Sequence, residues 1–285
     1  MQKIPGKQIA QSILDDLKAR IEREKLQPKL GVLLVGDDPA SQLYVSLKEK
    51  AAHDIGIQTN LRSLSAETSD DEIKQILREW NDDPAVHGIL VQMPLPSGHD
   101  ADSIIATMDP EKDADGFHPA NVQALKEGRA TFISPLHEGI LQLIGATSVV
   151  PNHALVVILC NSNTFAEPLK YILERAGATV RVMLASDTST SLSAGKDDKI
   201  LREADIVVVA VGRLNFLTSN GVKAGACVID VGINKTADGK TRGDFDSQSC
   251  ADMDGWYSPV PGGMGPMTIA LLLKNVTEFA STKQS

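Results

Sequence analysis

Apolar residues recur along this chain in two rhythms, and the alternation between them predicts its architecture. Ile9, Ile13, Leu14, Leu17 and Ile21 fall at helical spacing, which predicts an amphipathic helix over residues 7–26. The next apolar positions are consecutive. Residues 30–35 form a short run closed by Gly36, the pattern of a strand buried on both faces. A helix over 39–54 follows, with Pro39 suited to its first turn, and then a strand over 57–64. Ser69 with Glu72 three residues later is a capping box for a helix through Trp80, and residues 88–93 (GILVQM) are the next strand. Strands alternating with helices imply a mostly parallel sheet covered on both faces.

A second series begins after Pro151. Residues 154–159 read as a strand, 164–176 as a helix ended by Gly177, and 178–184, 204–211 and 226–231 as further strands. That order is a doubly wound nucleotide-binding plan. The polar stretch 186–196 reads as a loop, and 265–280 as a helix that returns to the first domain. The expected fold is therefore α/β. It has two α/β domains, the second a doubly wound Rossmann-like parallel sheet, with a cleft between them.

Composition narrows the chemistry. A formal net charge of −9 excludes a broad nucleic-acid surface, since phosphate binding needs clustered Lys and Arg. The three cysteines are far apart and form no CxxC pair, and the six histidines show no metal-ligand spacing. Neither a disulfide frame nor a metal site is predicted. No apolar run approaches the ~20 residues that span a bilayer, and the N-terminus enters a polar helix directly, unlike a signal peptide. The expected setting is cytoplasmic, away from membranes, with a small-molecule partner.

Four segments carry candidate chemistry. Tyr44 and Lys48 stand one turn apart on a helix, so phenol and amine share a face. Such a pair handles protons, and it is also a common exposed pairing on a solvated helix. Gln92 ends a buried strand before Pro94-Leu95-Pro96, delivering an amide to the carboxyl edge of the sheet. Residues 110–119 (PEKDADGFHP) hold acids in a Gly- and Pro-bounded loop, a pattern compatible with a metal, a donor-rich heterocycle or a solvated turn; His118 reads as structural. Residues 259–268 (PVPGGMGPMT) form a stiff loop whose backbone can approach a ligand closely.

These segments, with VGDDPASQLYVSLKEKAAHDIGI at 35–57 and VIDVGIN at 228–234, resemble in order the bifunctional methylenetetrahydrofolate dehydrogenase/methenyltetrahydrofolate cyclohydrolase family over nearly the whole chain. The resemblance implies a folate-binding catalytic domain of residues 1–134 plus 265–285 and a Rossmann-like dinucleotide-binding domain of 135–264. It implies that Lys48 is the central catalytic group, held by Gln92, with Tyr44 orienting the folate. Asp115 would receive the pterin, and Pro261, Gly262 and Gly263 would wall the cleft. It also implies a tetrahydrofolate derivative as substrate, NADP or NAD at a site including Cys160, Ser162, Asn163, Gly212 and Ile233, and a homodimer.

The chain departs from the family pattern around that cofactor site. Where the family reads Gly-x-Ser-x-x-x-Gly-x-Pro, this chain reads Cys160-Asn161-Ser162-Asn163-Thr164-Phe165-Ala166-Glu167-Pro168. Both glycines are replaced, and a side chain on Cys160 is expected to crowd the cofactor. Residues 133–137 (ISPLH) replace a Pro-Cys-Thr-Pro segment, Gln123 replaces a Gly, and Leu214-Asn215 replace the Pro-Gly of a turn. The leading expectation is a folate enzyme that retains hydrolysis or one-carbon transfer and binds NAD(P) weakly or not at all. The alternatives are an ordinary bifunctional enzyme with a variant loop, in which Asp187 is a candidate to read a ribose, and a non-catalytic folate-binding homologue.

Overall fold

The computed structural model describes residues 1–185 and 196–283, without the side chains of 196–198. The 186–196 loop and Asp187 therefore lie, but for residue 196, outside the described residues. In chain order the elements are β1 (Gln2–Lys3), α1 (Gly6–Glu24), β2 (Lys29–Val35), α2 (Pro39–Ile55), β3 (Gln58–Leu64), α3 (Asp70–Asp82) and β4 (Gly88–Val91). Then come α4 (Ala101–Ile105), α5 (Pro119–Lys126), α6 (Pro135–Gly145), β5 (Leu155–Cys160), α7 (Asn163–Arg175), β6 (Thr179–Leu184) and α8 (Lys196–Glu203). The remainder are β7 (Ile206–Ala210), β8 (Cys227–Asp230), β9 (Asn234–Lys235), β10 (Thr241–Arg242), β11 (Trp256–Tyr257) and α9 (Met264–Thr282). No helix among the described residues is long and apolar enough to cross a membrane.

The chain divides into two compact units, one of Ala10–Pro135 with Thr268–Ser285 and one of Met1–Ile9 with Leu136–Met267. The first holds a parallel sheet of order β3-β2-β4. Its central strand shows why the run 30–35 lacks polar positions. Leu30, Val32 and Leu34 pack with Leu17, Ile21, Val45, Leu272 and Val276 on one face. Leu33 and Val35 pack with Ile73, Leu77, Trp80 and Ile104 on the other. Gly31 also faces that second layer, and a Cβ there would stand 2.8 Å from the Trp80 ring. The capping box forms as read: the Glu72 amide donates to Ser69 Oγ at 3.3 Å and the Ser69 amide to Glu72 Oε2 at 3.1 Å.

The second unit is a six-stranded sheet of order β1-β11-β8-β7-β5-β6, parallel at every pairing. The chain leaves β5 toward β6 and crosses back to β7, so the winding reverses between β5 and β7. That reversal opens a crevice at the carboxyl ends of these two strands. The N-terminus corrects the expected domain assignment. Gln2 and Lys3 add to β11, and the terminal amine donates to the Cys250 carbonyl at 2.7 Å, so residues 1–9 belong to the six-stranded unit. Two residues of edge strand carry too little pattern to be seen in a sequence.

Gly31→Ala is expected to lower stability by about 1–3 kcal/mol, because the added methyl must displace a packed indole. A urea titration followed by tryptophan fluorescence measures it, and an unchanged midpoint would contradict the packing described.

Candidate active site

In the three-stranded unit, helix α2 starts directly beyond the carboxyl end of β2. Asp38 caps it by accepting from the Ser41 amide at 2.7 Å, Pro39 occupies its first turn, and Gly56 ends it at φ 90°. This register buries Val45 and Ala52 and leaves Tyr44 and Lys48 half-buried one turn apart. The Lys48 ammonium donates to Gln92 Oε1 at 2.9 Å. Gln92 is itself fixed. Its amide continues the ladder to the Leu33 carbonyl at 2.8 Å, and its side-chain nitrogen donates to the Met93 carbonyl at 2.6 Å.

Asp115 reaches the same place on a loop anchored at several points. The Ile89 amide donates to the Lys112 carbonyl at 2.6 Å and the Ala114 amide to the Ile89 carbonyl at 3.1 Å, so residues 112–114 run alongside β4. Lys112 is buried, and its ammonium donates to the carbonyls of Trp80, Asn81 and Asp83 at 2.7 to 2.8 Å. A cation there satisfies the open carbonyls at the end of α3. Asp113, fully buried, accepts from the amides of Gly116 and His118 at 2.9 and 2.7 Å and from Asn121 Nδ2 at 3.0 Å. Gly116 sits at φ 76° against the Ser134 backbone, where a Cβ would not fit. His118 serves the helix that follows, its Nδ1 accepting from the Ala120 amide at 3.1 Å.

Burial pushes the Lys48 amine below its ordinary pKa, and the Asp115 charge partly opposes this. Burial raises the Asp115 carboxyl; the Lys48 charge opposes that shift and Asp113 adds to it. Burial also raises the Tyr44 phenol and keeps it a neutral donor. An amine and an acid whose proton affinities converge, beside a phenol and a fixed amide, form a proton-transfer set. The structure thus brings together Tyr44, Lys48, Gln92 and Asp115.

In the six-stranded unit the predicted cofactor residues gather at the β5–β7 crevice. Ser162 caps α7 by accepting from the Thr164 amide at 3.0 Å, and Ser162 and Asn163 are exposed at the helix start. Asn161 Nδ2 bridges the crevice to the Val211 carbonyl at 2.6 Å. Gly212, at φ 68°, has open space where a side chain would be, and Ile233 is exposed. Cys160 does not crowd this opening. Its side chain is 1% exposed, and the thiol donates to the Ser162 carbonyl at 3.4 Å, with its pKa raised by burial. The expected crowding by Cys160 is therefore not seen, and Ala166, at the second replaced glycine, is buried within α7. Pro261, Gly262 and Gly263 also belong to this unit. A Cβ on Gly263 would lie 2.7 Å from the Pro259 carbonyl, and Gly6 packs against the same turn.

Three supports were missed from the sequence. His137 Nε2 donates to the Phe165 carbonyl at 3.1 Å, its ring 5.7 Å from that of Phe165, and burial pushes its pKa down to about 4, so it stays neutral. Asp244, fully buried, accepts from the amides of Val211 and Gly212 at 2.6 and 2.8 Å and from Asn234 Nδ2 at 2.8 Å. Asp230, buried at the end of β8, accepts from the amides of Gly232, Asp244 and Phe245. Nothing in spacing or composition marks these residues.

Burial pushes the Asp230 carboxyl up to about 7, despite its three backbone donors, with Asp244 adding to the rise. The folded chain thus binds this proton more tightly than the unfolded chain does. Its contribution to stability is full below the ordinary value of 3.8 and is lost as pH rises through about 7. Unfolding free energy measured between those limits is expected to carry this falling component in the wild type and to lack it in Asp230→Asn.

Comparison with known proteins places the chain among relatives. Residues 4–115 match the tetrahydrofolate dehydrogenase/cyclohydrolase catalytic domain, and residues 134–284 match the NAD(P)-binding domain of the same family. The bifunctional protein FolD of Magnetococcus marinus is 43% identical over 281 residues, covering 97% of this chain and 96% of its own. The crystal structure of the bifunctional FolD methylenetetrahydrofolate dehydrogenase/cyclohydrolase from Campylobacter jejuni is 36% identical with a TM-score of 0.90, covering 99% of both chains. The Trypanosoma brucei methylenetetrahydrofolate dehydrogenase-cyclohydrolase, solved with NADP cofactor and an inhibitor, is 29% identical with a TM-score of 0.90, covering 99% and 98%.

Proposed function

Because the chain belongs to the tetrahydrofolate dehydrogenase/cyclohydrolase family, we propose that it is an ordinary bifunctional enzyme of that family. It oxidises 5,10-methylenetetrahydrofolate with NAD(P) and hydrolyses the 5,10-methenyl product to 10-formyltetrahydrofolate. The observation that carries this reading is the Lys48 ammonium bonded to Gln92 within the charge field of Asp115. The crevice supports the redox half: Ser162, Asn163, Gly212 and Ile233 stay open there, and Cys160 turns away. The NADP-bound trypanosomal relative supports the same reading.

Each residue then has a task. Asp115 pairs with the donor edge of the pterin, and Tyr44 packs beside the folate and donates from its phenol. Gln92 fixes the Lys48 amine, and Lys48 moves the proton when water adds to the methenyl carbon. Ser162, Asn163, Gly212 and Ile233 at the β5–β7 crevice would hold NAD(P), which would supply the hydride acceptor for the oxidation. Residues 10–135 with 268–285 carry the folate chemistry, and 136–267 hold the dinucleotide. The family likeness also supports a homodimer, which light scattering would test.

Three measurements test the proposal. With methylenetetrahydrofolate, the wild type should reduce NADP or NAD; no reduction with either would restrict the enzyme to hydrolysis. Lys48→Met should slow methenyl hydrolysis by about 10²-fold or more while folate binding persists. Retained hydrolysis would remove Lys48 from the mechanism. Cys160→Gly should leave dinucleotide affinity within about threefold of wild type, because the thiol is turned away from the crevice.

A further inference from the structure

The carboxyl ends of the strands of the three-stranded sheet carry the folate chemistry, but the amino ends carry a second cavity that it does not use. This pocket, of about 340 Å³, is lined by Lys25, Gln27, Lys29, Gln58, Pro84, Ala85 and His87. None of these lining residues is acidic, in a chain whose net charge is −9. The lining residues precede or open the strands: Lys29 begins β2, Gln58 begins β3, and His87 directly precedes β4. The four residues of β4 separate His87 from Gln92, five steps or about 16 Å along the sheet.

The polar side chains that line this pocket keep donors without protein partners, Lys25, Gln27 and Gln58 being exposed. The Lys29 amide donates to His87 Nδ1 at 3.2 Å, so that nitrogen is an acceptor and the neutral imidazole carries its proton on Nε2. Among the described residues, nothing pairs with His87 Nε2, with the Lys25 ammonium, or with the side-chain amides of Gln27 and Gln58. The Lys29 ammonium has only a loose partner, Asp83 Oδ2 at 3.9 Å. We propose that this pocket binds a compact phosphate-type oxyanion, either inorganic pyrophosphate or the phosphate of a monoester. Two ammonium groups, one ring N–H and two amides can surround an anion that presents several oxygens around one centre. A single carboxylate would leave most of them unsatisfied.

The histidine supplies a direct readout. Burial first, then the charges of Lys283, Lys112 and Lys29, hold His87 below its ordinary pKa, against the opposing charge of Asp83. An anion seated among those cations cancels part of their field, so occupancy raises the His87 pKa. Lys25 supplies a variant that leaves the fold alone. It sits at φ 53°, where glycine is better tolerated than lysine, so Lys25→Gly removes the charge without backbone strain.

The experiment is calorimetric titration with pyrophosphate and, separately, with adenosine monophosphate at constant ionic strength, alongside imidazole NMR of His87. Saturable binding near or below about 1 mM is expected for at least one of the two, with an upward shift of the His87 pKa. Lys25→Gly and Lys29→Gln should each weaken binding by about tenfold or more, while exposed Lys50→Ala should not. Tighter binding of the monophosphate would identify a phosphate monoester as the source, and tighter pyrophosphate binding the free anion. No saturable heat with either probe, a His87 pKa that stays put, or wild-type affinity in Lys25→Gly would each overturn the proposal.

Discussion

A primary amine kept poorly solvated beside a neutral amide and a carboxylate is the constraint on which its surroundings in the three-stranded unit depend. A buried ammonium is stable only with a partner, and a partner that is too strong fixes its charge. Lys48 has a neutral amide as its direct acceptor and a carboxylate acting through its charge, which leaves the amine below its ordinary pKa. Everything nearby serves to keep those two partners still. Gln92 belongs to the ladder, and Asp115 follows a segment tied to β4, to the end of α3 and to α5. Lys112 shows the contrast: three carbonyls surround its ammonium, which holds the backbone at the end of α3.

The six-stranded unit uses carboxylates for a comparable purpose. Asp244 gathers the amides that follow β7, and Asp230 gathers those following β8 and β10. Loops at the carboxyl ends of parallel strands have no ladder of their own, so their amides need other acceptors. Supplying these from buried side chains shapes the crevice and leaves Gly212 and Ile233 open toward it.

The sequence made the strong elements readable for physical reasons. The runs 30–35 and 154–159 are apolar because both faces of their sheets are covered, and the Ser69 box is a local code that needs no tertiary contact. Tyr44, Lys48, Gln92 and Asp115 were legible as a set through family resemblance; spacing alone supplied only the Tyr44–Lys48 face. The short elements β1, β9, β10 and β11, two residues each, hold no periodicity. The inference that Cys160 spoils the cofactor loop failed because a residue name gives size but not direction. Lys112, His137 and Asp244 were invisible for the opposite reason. Their partners are backbone groups, whose positions exist only once the chain has folded.

The division of the chain also bears on how it is synthesised. The three-stranded unit is discontinuous: residues 10–135 emerge early, but Leu272, Leu273 and Val276, which close one layer of its core, lie in the last helix. Domains made on the ribosome tend to form in N-to-C order, yet here the unit whose strands β2–β4 are made before β5–β8 is finished last. A chain stopped after residue 267 would hold all of the six-stranded unit but a three-stranded sheet with one layer covered only by residues of α1 and α2, so that the core of that unit closes with the segment made last.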